Sequence, residues 1–123
     1  MKLLESGEMY LETILILSKE KPRVHAVDIA EYMGFSKPSV SRGLARLKAD
    51  DYILVKEGCN CIWLTEKGKE VAERIYERHL VITEMLMRIG IPPEVAAEDA
   101  CKIEHDLSDE TFAALKAHSK TLK

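Results

Sequence analysis

The chain has 123 residues, of which 46% are apolar and 32% charged. That composition suits one compact domain, or a domain with a helical extension, and excludes a disordered tail. No apolar run approaches the roughly 20 residues of a membrane span, and Glu5 and Glu8 interrupt the N-terminus where a signal peptide needs a long apolar stretch. A cytoplasmic location with no membrane partner is therefore expected. The formal net charge is −3, but residues 1–78 hold 13 basic and 13 acidic side chains, so the negative excess lies wholly in residues 79–123. Residues 36–48 carry Lys37, Arg42, Arg46 and Lys48 with no acid among them. An odd count of three cysteines, Cys59, Cys61 and Cys101, with no export signal argues against a disulfide framework and for reduced thiols.

In chain order, residues 5–19 read as a helix, with Met9, Ile14, Leu15 and Leu17 apolar and Glu5, Glu8 and Glu12 in the first turns. Lys21-Pro22-Arg23 ends it. Residues 27–33 form a short amphipathic helix that Gly34 stops. Ser36 caps the next helix, Pro38 fits its first turn, and Val40, Leu44 and Leu47 share one face as far as Ala49. Two short helices joined by a glycine-containing turn make a helix-turn-helix. Residues 52–56 and 61–65 then read as strands around a turn at 57–60, which gives the winged variant. Thr65-Glu66-Lys67-Gly68 opens a long helix to Ile89, with Val71, Ile75, Leu80, Ile82, Leu86 and Ile89 as its apolar stripe. Gly90-Ile91-Pro92-Pro93 ends that helix, another runs from Pro93 to Leu107, and Ser108 caps a last one over 109–118. The expected fold is mainly α: a winged helix-turn-helix domain over 1–65, then a helical domain over 66–123.

A recognition helix enters the major groove with its N-terminal residues toward the bases. Here these are Lys37, Pro38, Ser39, Ser41 and Arg42. Arg42 can donate twice to a guanine edge, Pro38 offers an apolar surface to a thymine methyl, and the serines suit bases or phosphates. Arg46 and Lys48, farther along, and Lys56 in the wing suit phosphates. A basic helix face is most often only solvated, but that reading does not account for its place inside a helix-turn-helix followed by a wing.

Cys101, Glu104 and His105 lie at i, i+3 and i+4, one face of a helix. A thiolate, a carboxylate and an imidazole are all metal-competent when deprotonated. Three donors do not complete a shell, so other helices must contribute; His79, Met9 and Glu12 are the candidates, the last two sharing a face at i, i+3. The same spacing also suits a small core cysteine beside a solvated Glu-His pair, and spacing alone does not choose. His25 and His118 read as surface residues. Cys59-Asn60-Cys61 has no second Cys or His pair at zinc-site spacing and reads as structural or incidental.

Several stretches together resemble the diphtheria toxin repressor family, which includes iron-dependent regulators and manganese transport regulators. They are Glu8-Met9-Tyr10-Leu11-Glu12-Thr13-Ile14, Asp28-Ile29-Ala30-Glu31, Ser36-Lys37-Pro38-Ser39-Val40-Ser41, Leu64-Thr65-Glu66-Lys67-Gly68, Arg78-His79, and Ala100-Cys101-Lys102-Ile103-Glu104-His105 through Ser108. The resemblance implies a homodimer that binds operator DNA when loaded with a divalent metal and represses metal-uptake genes. It implies the two-domain form, without the SH3-like third domain of larger members. By position, Met9, Cys101, Glu104 and His105 match the activating site of the iron type. Glu12 and His79 match ligands of the manganese type, in which acidic residues stand where Met9 and Cys101 stand here. Thr83 and Ala97 occupy positions where the iron type's ancillary site has a carboxylate and a second histidine, and Glu84 is one residue off.

Ligand softness then points to Fe²⁺, because a thioether and a thiol are poor partners for Mn²⁺. Mn²⁺ is the alternative, and Co²⁺, Ni²⁺ and Zn²⁺ are expected to bind in vitro. Two readings from other classes compete. One is a metal-independent winged-helix regulator that senses an organic ligand or oxidation of Cys101. The other is a metal-dependent hydrolase using His79, Glu104 and His105, which lacks a recognisable substrate pocket and leaves the basic helix unexplained.

Overall fold

The computed structural model describes residues 5–121. Six helices and one hairpin follow in the order α1 (Glu5–Glu20), α2 (Ala26–Met33), α3 (Lys37–Ala49), β1 (Ile53–Lys56), β2 (Cys61–Leu64), α4 (Glu66–Arg88), α5 (Pro93–Ile103) and α6 (Asp109–Ser119). The chain divides into two compact units, Met1–Glu73 and Arg74–Lys123, and the division falls inside α4. Among the described residues no helix is long and apolar enough to cross a membrane.

In the first unit α1 packs on α2, α3 and β2. Its inward stripe is Tyr10, Leu11, Ile14 and Leu17, spaced by three and four residues and buried. Met9, expected in that stripe, is only half-buried. The start of α2 is tied by Asp28, whose Oδ2 accepts from the His25 amide at 2.9 Å while Lys21 Nζ donates to Oδ1 at 2.7 Å. The Lys21 ammonium, and then the His25 amide, hold the Asp28 carboxyl below its ordinary range. Gly34 ends α2 in the left-handed region at φ 71°, its amide donating to the Ala30 carbonyl at 2.9 Å. Two residues later Ser36 Oγ accepts from the Ser39 amide and starts α3. Val40, Leu44 and Leu47 are buried, as their spacing requires. The helix-turn-helix is therefore set by local chemistry at Asp28, Gly34 and Ser36.

β1 and β2 pair antiparallel from Ile53↔Leu64 to Lys56↔Cys61. Val24 adds one rung, its carbonyl accepting from the Ile62 amide at 2.8 Å. Ile53 and Ile62 face the core, while Leu54 and Trp63, directly opposite each other, are exposed. The turn departs from expectation at the cysteines. Residues 57–60 reverse the chain with positive φ at Gly58 and Asn60, bringing the Cα atoms of Cys59 and Cys61 to 5.2 Å, and their sulfurs are joined in a disulfide. The odd count that argued for reduced thiols is met instead by one short-range pair and by Cys101, which is in no disulfide.

Two glycines set how closely the first unit packs. A Cβ on Gly43 would lie 2.4 Å from the Tyr10 ring, so α1 and α3 meet where α3 has no side chain. A Cβ on Gly68 would lie 2.0 Å from the Tyr52 carbonyl oxygen. There Thr65 Oγ1 accepts from the Gly68 amide at 3.0 Å and donates to the Asp51 carbonyl at 2.7 Å, pinning the start of α4 to the end of α3.

In the second unit Ile75, Ile82, Ala96, Ala100 and Phe112 are buried, and with them Arg78 and Glu104. The stripe read from sequence is narrower in fact: Leu80 and Ile89 are exposed. Leu80 lies five residues from Ile75 and so points to another side of the helix, and Ile89 falls beyond the helix end. Arg78 Nη1 donates to the carbonyls of Glu104 at 3.0 Å and Leu107 at 2.6 Å, and Nη2 donates to Asp109 Oδ1 at 2.5 Å. Its guanidinium also lies 5.2 Å from the centroid of the Phe112 ring. This contact explains why α5 stops at Ile103 rather than continuing to Leu107 as expected. A buried cation satisfies carbonyls that would otherwise need another helical turn. Ser108 Oγ then accepts from the Thr111 amide at 3.0 Å and starts α6.

Gly68→Ala is expected to destabilise by about 1–3 kcal/mol, because the methyl meets fixed backbone. At an unhindered helical glycine the same change would stabilise by about 1 kcal/mol. The urea midpoint distinguishes the two signs. Arg78→Met is expected to cost about 2–4 kcal/mol by leaving the Glu104 and Leu107 carbonyls unpaired. Asp109→Asn, at an exposed partner, should cost less than about 1 kcal/mol; equal losses in thermal denaturation would contradict the capping role of Arg78.

Candidate metal centre and nucleic-acid interface

The centre of the second unit is a carboxylate with no access to water. Glu104 is the C-cap of α5 and keeps α-region dihedrals, φ −58° and ψ −29°, so the helical face continues past Ile103. Its side chain is 0% exposed. Oε2 lies 2.9 Å from His79 Nδ1 on α4, and Oε1 lies 3.4 Å from His105 Nε2. Cys101, Glu104 and His105 each present one ligand atom, and the three lie within 4.8 Å of one another. The expected i, i+3, i+4 convergence therefore holds, although the last two residues lie at and beyond the helix end. Tertiary packing adds His79, 25 positions away in sequence.

An ionised carboxylate in such a place must be compensated. Glu104 Oε1 accepts no hydrogen bond among the described residues. His79 Nδ1 either carries the proton that Oε2 accepts or, deprotonated, shares a cation with that oxygen. The His105 side chain is 1% exposed and that of His79 is 25% exposed, so the cluster is shielded and His79 is its more accessible imidazole. Cys101 is half-buried and its thiol is free of any disulfide. A buried anion beside two imidazoles and a thiol fits a divalent metal of intermediate softness.

The other expected ligands are on α1, where Glu12 is buried and Met9, one turn before it, is half-buried. Thr83 Oγ1 is buried with no hydrogen-bond partner among the described residues. It lines a shallow groove on α4 with His79, Leu80, Glu84, Met87 and Arg88. Glu84 borders this groove too, but its Oε1 pairs with Arg88 Nη2 at 2.6 Å. Ala97 is half-buried and brings no donor.

On α3, Lys37, Pro38, Ser41, Arg42 and Arg46 are all exposed, as is Lys48. Ser39 is half-buried and engaged: its hydroxyl accepts from Ser36 Oγ at 2.9 Å and its carbonyl from Tyr10 Oη at 3.4 Å. It therefore anchors the first turn of α3 and is the least available of the serines. Lys56, at the end of β1, is exposed. Sequence reasoning missed one association in this unit. His25, read as a surface residue, is half-buried with Nε2 3.8 Å from Cys61 Sγ. No local spacing signals a contact across 36 positions.

Residues 2–58 match the family described as "Iron dependent repressor, N-terminal DNA binding domain", and residues 65–123 match "Iron dependent repressor, metal binding and dimerisation domain". The Transcriptional regulator MntR of Escherichia coli O6:H1 is 34% identical over 107 residues, which are 87% of this chain and 68% of that protein. An HTH-type transcriptional regulator of Methanocaldococcus jannaschii is 33% identical over 97% of this chain and 96% of its own length. The solved structure of the manganese regulator SloR superposes with a TM-score of 0.84 at 30% identity, over 95% of this chain. This chain spans about half of SloR, 54%, and about two thirds of the Escherichia coli protein, 68%. With both domain families matched across nearly its whole length, the chain belongs to the iron-dependent repressor family of transcriptional regulators.

Proposed function

We propose that this chain represses transcription by binding operator DNA as a homodimer when a divalent metal occupies the centre at Glu104. The observation that carries this reading is the buried Glu104 carboxylate, held between His79 and His105 with the Cys101 thiol close by. Membership of a family of transcriptional regulators sets aside a hydrolase built on His79, Glu104 and His105.

In this mechanism Cys101, Glu104, His105 and His79 hold the metal. The resemblance assigns Met9 and Glu12 of α1 to the same donor set. The bound ion supplies the positive charge that the buried carboxylate lacks. As the resemblance implies, an ion held by donors from both domains would narrow the range of separations between two recognition helices. Paired half-sites demand one separation, so occupancy raises operator affinity by shifting population toward the competent arrangement. By linkage, operator DNA tightens metal binding by the same factor. Lys37, Pro38, Ser41 and Arg42 of α3 face the bases, Arg46 faces phosphate, and Ser39 holds the helix start.

The donor set favours Fe²⁺, since a thioether and a thiolate discriminate against Mn²⁺ relative to iron. A second reading, Mn²⁺ as effector, is supported by the relatives: the Escherichia coli protein is named MntR and SloR is titled a manganese regulator. Glu12 and His79, matched to the manganese type, support it too.

Anaerobic operator-binding titrations are expected to show Fe²⁺ activating at lower free concentration than Mn²⁺. Met9→Asp with Cys101→Glu should reverse that order; activation by Mn²⁺ at far lower concentration in the unaltered chain would leave the manganese reading in place. Glu104→Gln is expected to abolish the metal response while leaving weak metal-independent DNA binding. Arg42→Ala should weaken operator binding about 10- to 100-fold with metal affinity unchanged in the absence of DNA, as loss of a base contact worth about 1–3 kcal/mol requires. Fluorescence anisotropy with and without chelator separates the two effects.

A further inference from the structure

We propose that Cys59 and Cys61, with His25, form a reversible dithiol–disulfide site in the hairpin turn of the DNA-binding unit, oxidised by hydroperoxides. The site lies entirely within the first unit, among residues given no part in metal binding or DNA reading, so it stands independently of the proposed function.

Three observations carry it. The first is the bond itself: the turn at 57–60 places the two sulfurs in a disulfide across a single intervening residue. Such a link closes almost no chain, and disulfide stabilisation in the chain-entropy account grows with loop length. The hairpin is already in register without it, through Lys56↔Cys61 pairing and the Asn60 amide donating to the Lys56 carbonyl at 2.9 Å. A structural staple is therefore redundant here. The second is asymmetry: Cys61 is 1% exposed, whereas Cys59 is half-buried and borders solvent. One sulfur can meet an oxidant and the other is held behind it. The third is His25, whose Nε2 lies 3.8 Å from Cys61 Sγ and whose Nδ1 lies 3.6 Å from Asp28 Oδ2. Asp28 is itself fixed by Lys21 and the His25 amide. An imidazole oriented by a carboxylate and aimed at a thiol is the arrangement that makes a thiolate.

The chemistry balances as follows. The Cys59 thiolate attacks one oxygen of a hydroperoxide; the O–O bond breaks, an alcohol leaves after taking a proton, and Cys59 becomes a sulfenic acid. Cys61 gives its proton to His25 Nε2 and attacks the Cys59 sulfur. The S–S bond forms, the S–O bond breaks, and the departing hydroxide takes the proton back from His25 as water. Two thiols and one hydroperoxide thus yield one disulfide, one alcohol and one water, and two electrons pass from sulfur to oxygen. Exchange with an external dithiol restores the pair.

The test uses the full chain, freed of metal and fully reduced, exposed to one equivalent of hydrogen peroxide and quenched with N-ethylmaleimide. Trypsin releases residues 57–67 as one peptide with both cysteines, so mass spectrometry reads their state directly. The expected result is a peptide two hydrogens lighter that takes no maleimide and takes two after dithiothreitol, formed faster in the folded chain than in denaturing urea. His25→Asn and His25→Gln should slow its formation about tenfold, with circular dichroism reporting whether each variant is folded. Cys59→Ser should leave Cys61 unoxidised and alkylatable. The proposal is overturned if the peptide takes two maleimides after peroxide, if folding gives no acceleration over urea, or if Cys59 pairs with Cys101 instead. An unchanged rate in a folded His25 variant removes His25 from the site.

Discussion

The second unit is organised around the charge of one buried side chain. Arg78 sits inside α4 with its side chain 6% exposed and directs Nη1 at the Glu104 and Leu107 carbonyls and Nη2 at Asp109. A buried guanidinium is costly unless most of its donors meet acceptors, and the chain leaving α5 supplies them for both Nη atoms. That requirement ends α5, keeps Glu104 in α-region geometry, and starts α6 within the same few residues. The His79–Glu104 pair is positioned as a by-product. His79 is the next residue on α4, and Glu104, whose backbone Arg78 holds, turns its carboxylate toward that histidine. Neighbouring residues on one helix thus serve the two ends of one glutamate: Arg78 its carbonyl, His79 its side chain.

The first unit is organised by contact rather than by charge. Absence of a side chain at Gly43 lets the Tyr10 ring approach α3, and absence at Gly68 lets α4 begin against the Tyr52 carbonyl. The close approach at Gly43 sets α3 directly against α1, and Lys37, Ser41, Arg42 and Arg46 lie exposed on α3. Ser39, whose carbonyl takes the Tyr10 hydroxyl and whose hydroxyl serves the helix start, is part of that mounting. One of α3's own first-turn residues is thus committed to holding the helix in place.

The proposed donor set is chemically mixed. Cys101 and Met9 are soft, Glu104 and Glu12 are hard, and His79 and His105 lie between them. Selectivity in such a set depends on which donors reach the ion together, so the metal identity follows from geometry as much as from residue type. The shielded Glu104 carboxylate is common to both readings, because an ionised carboxylate buried there needs compensating positive charge.

Sequence alone determined what local physics controls. Helix starts at Ser36 and Ser108, the stop at Gly34, the buried face Val40-Leu44-Leu47 and the hairpin after α3 all follow from side chains within a few positions of each other. The grouping of Cys101, Glu104 and His105 was legible for the same reason, since helical periodicity places them together. Only the tertiary structure decided the rest. Arg78 stops α5 at Ile103 from 26 residues away, His79 reaches Glu104 across 25, and His25 reaches Cys61 across 36. Leu80 and Ile89 proved exposed because a stripe read along one helix does not say which part of its circumference another element covers. The turn at 57–60 likewise joined two cysteines that counting had left reduced. Contacts across such distances depend on how elements pack, and packing energy is shared among many residues instead of being written at any one position.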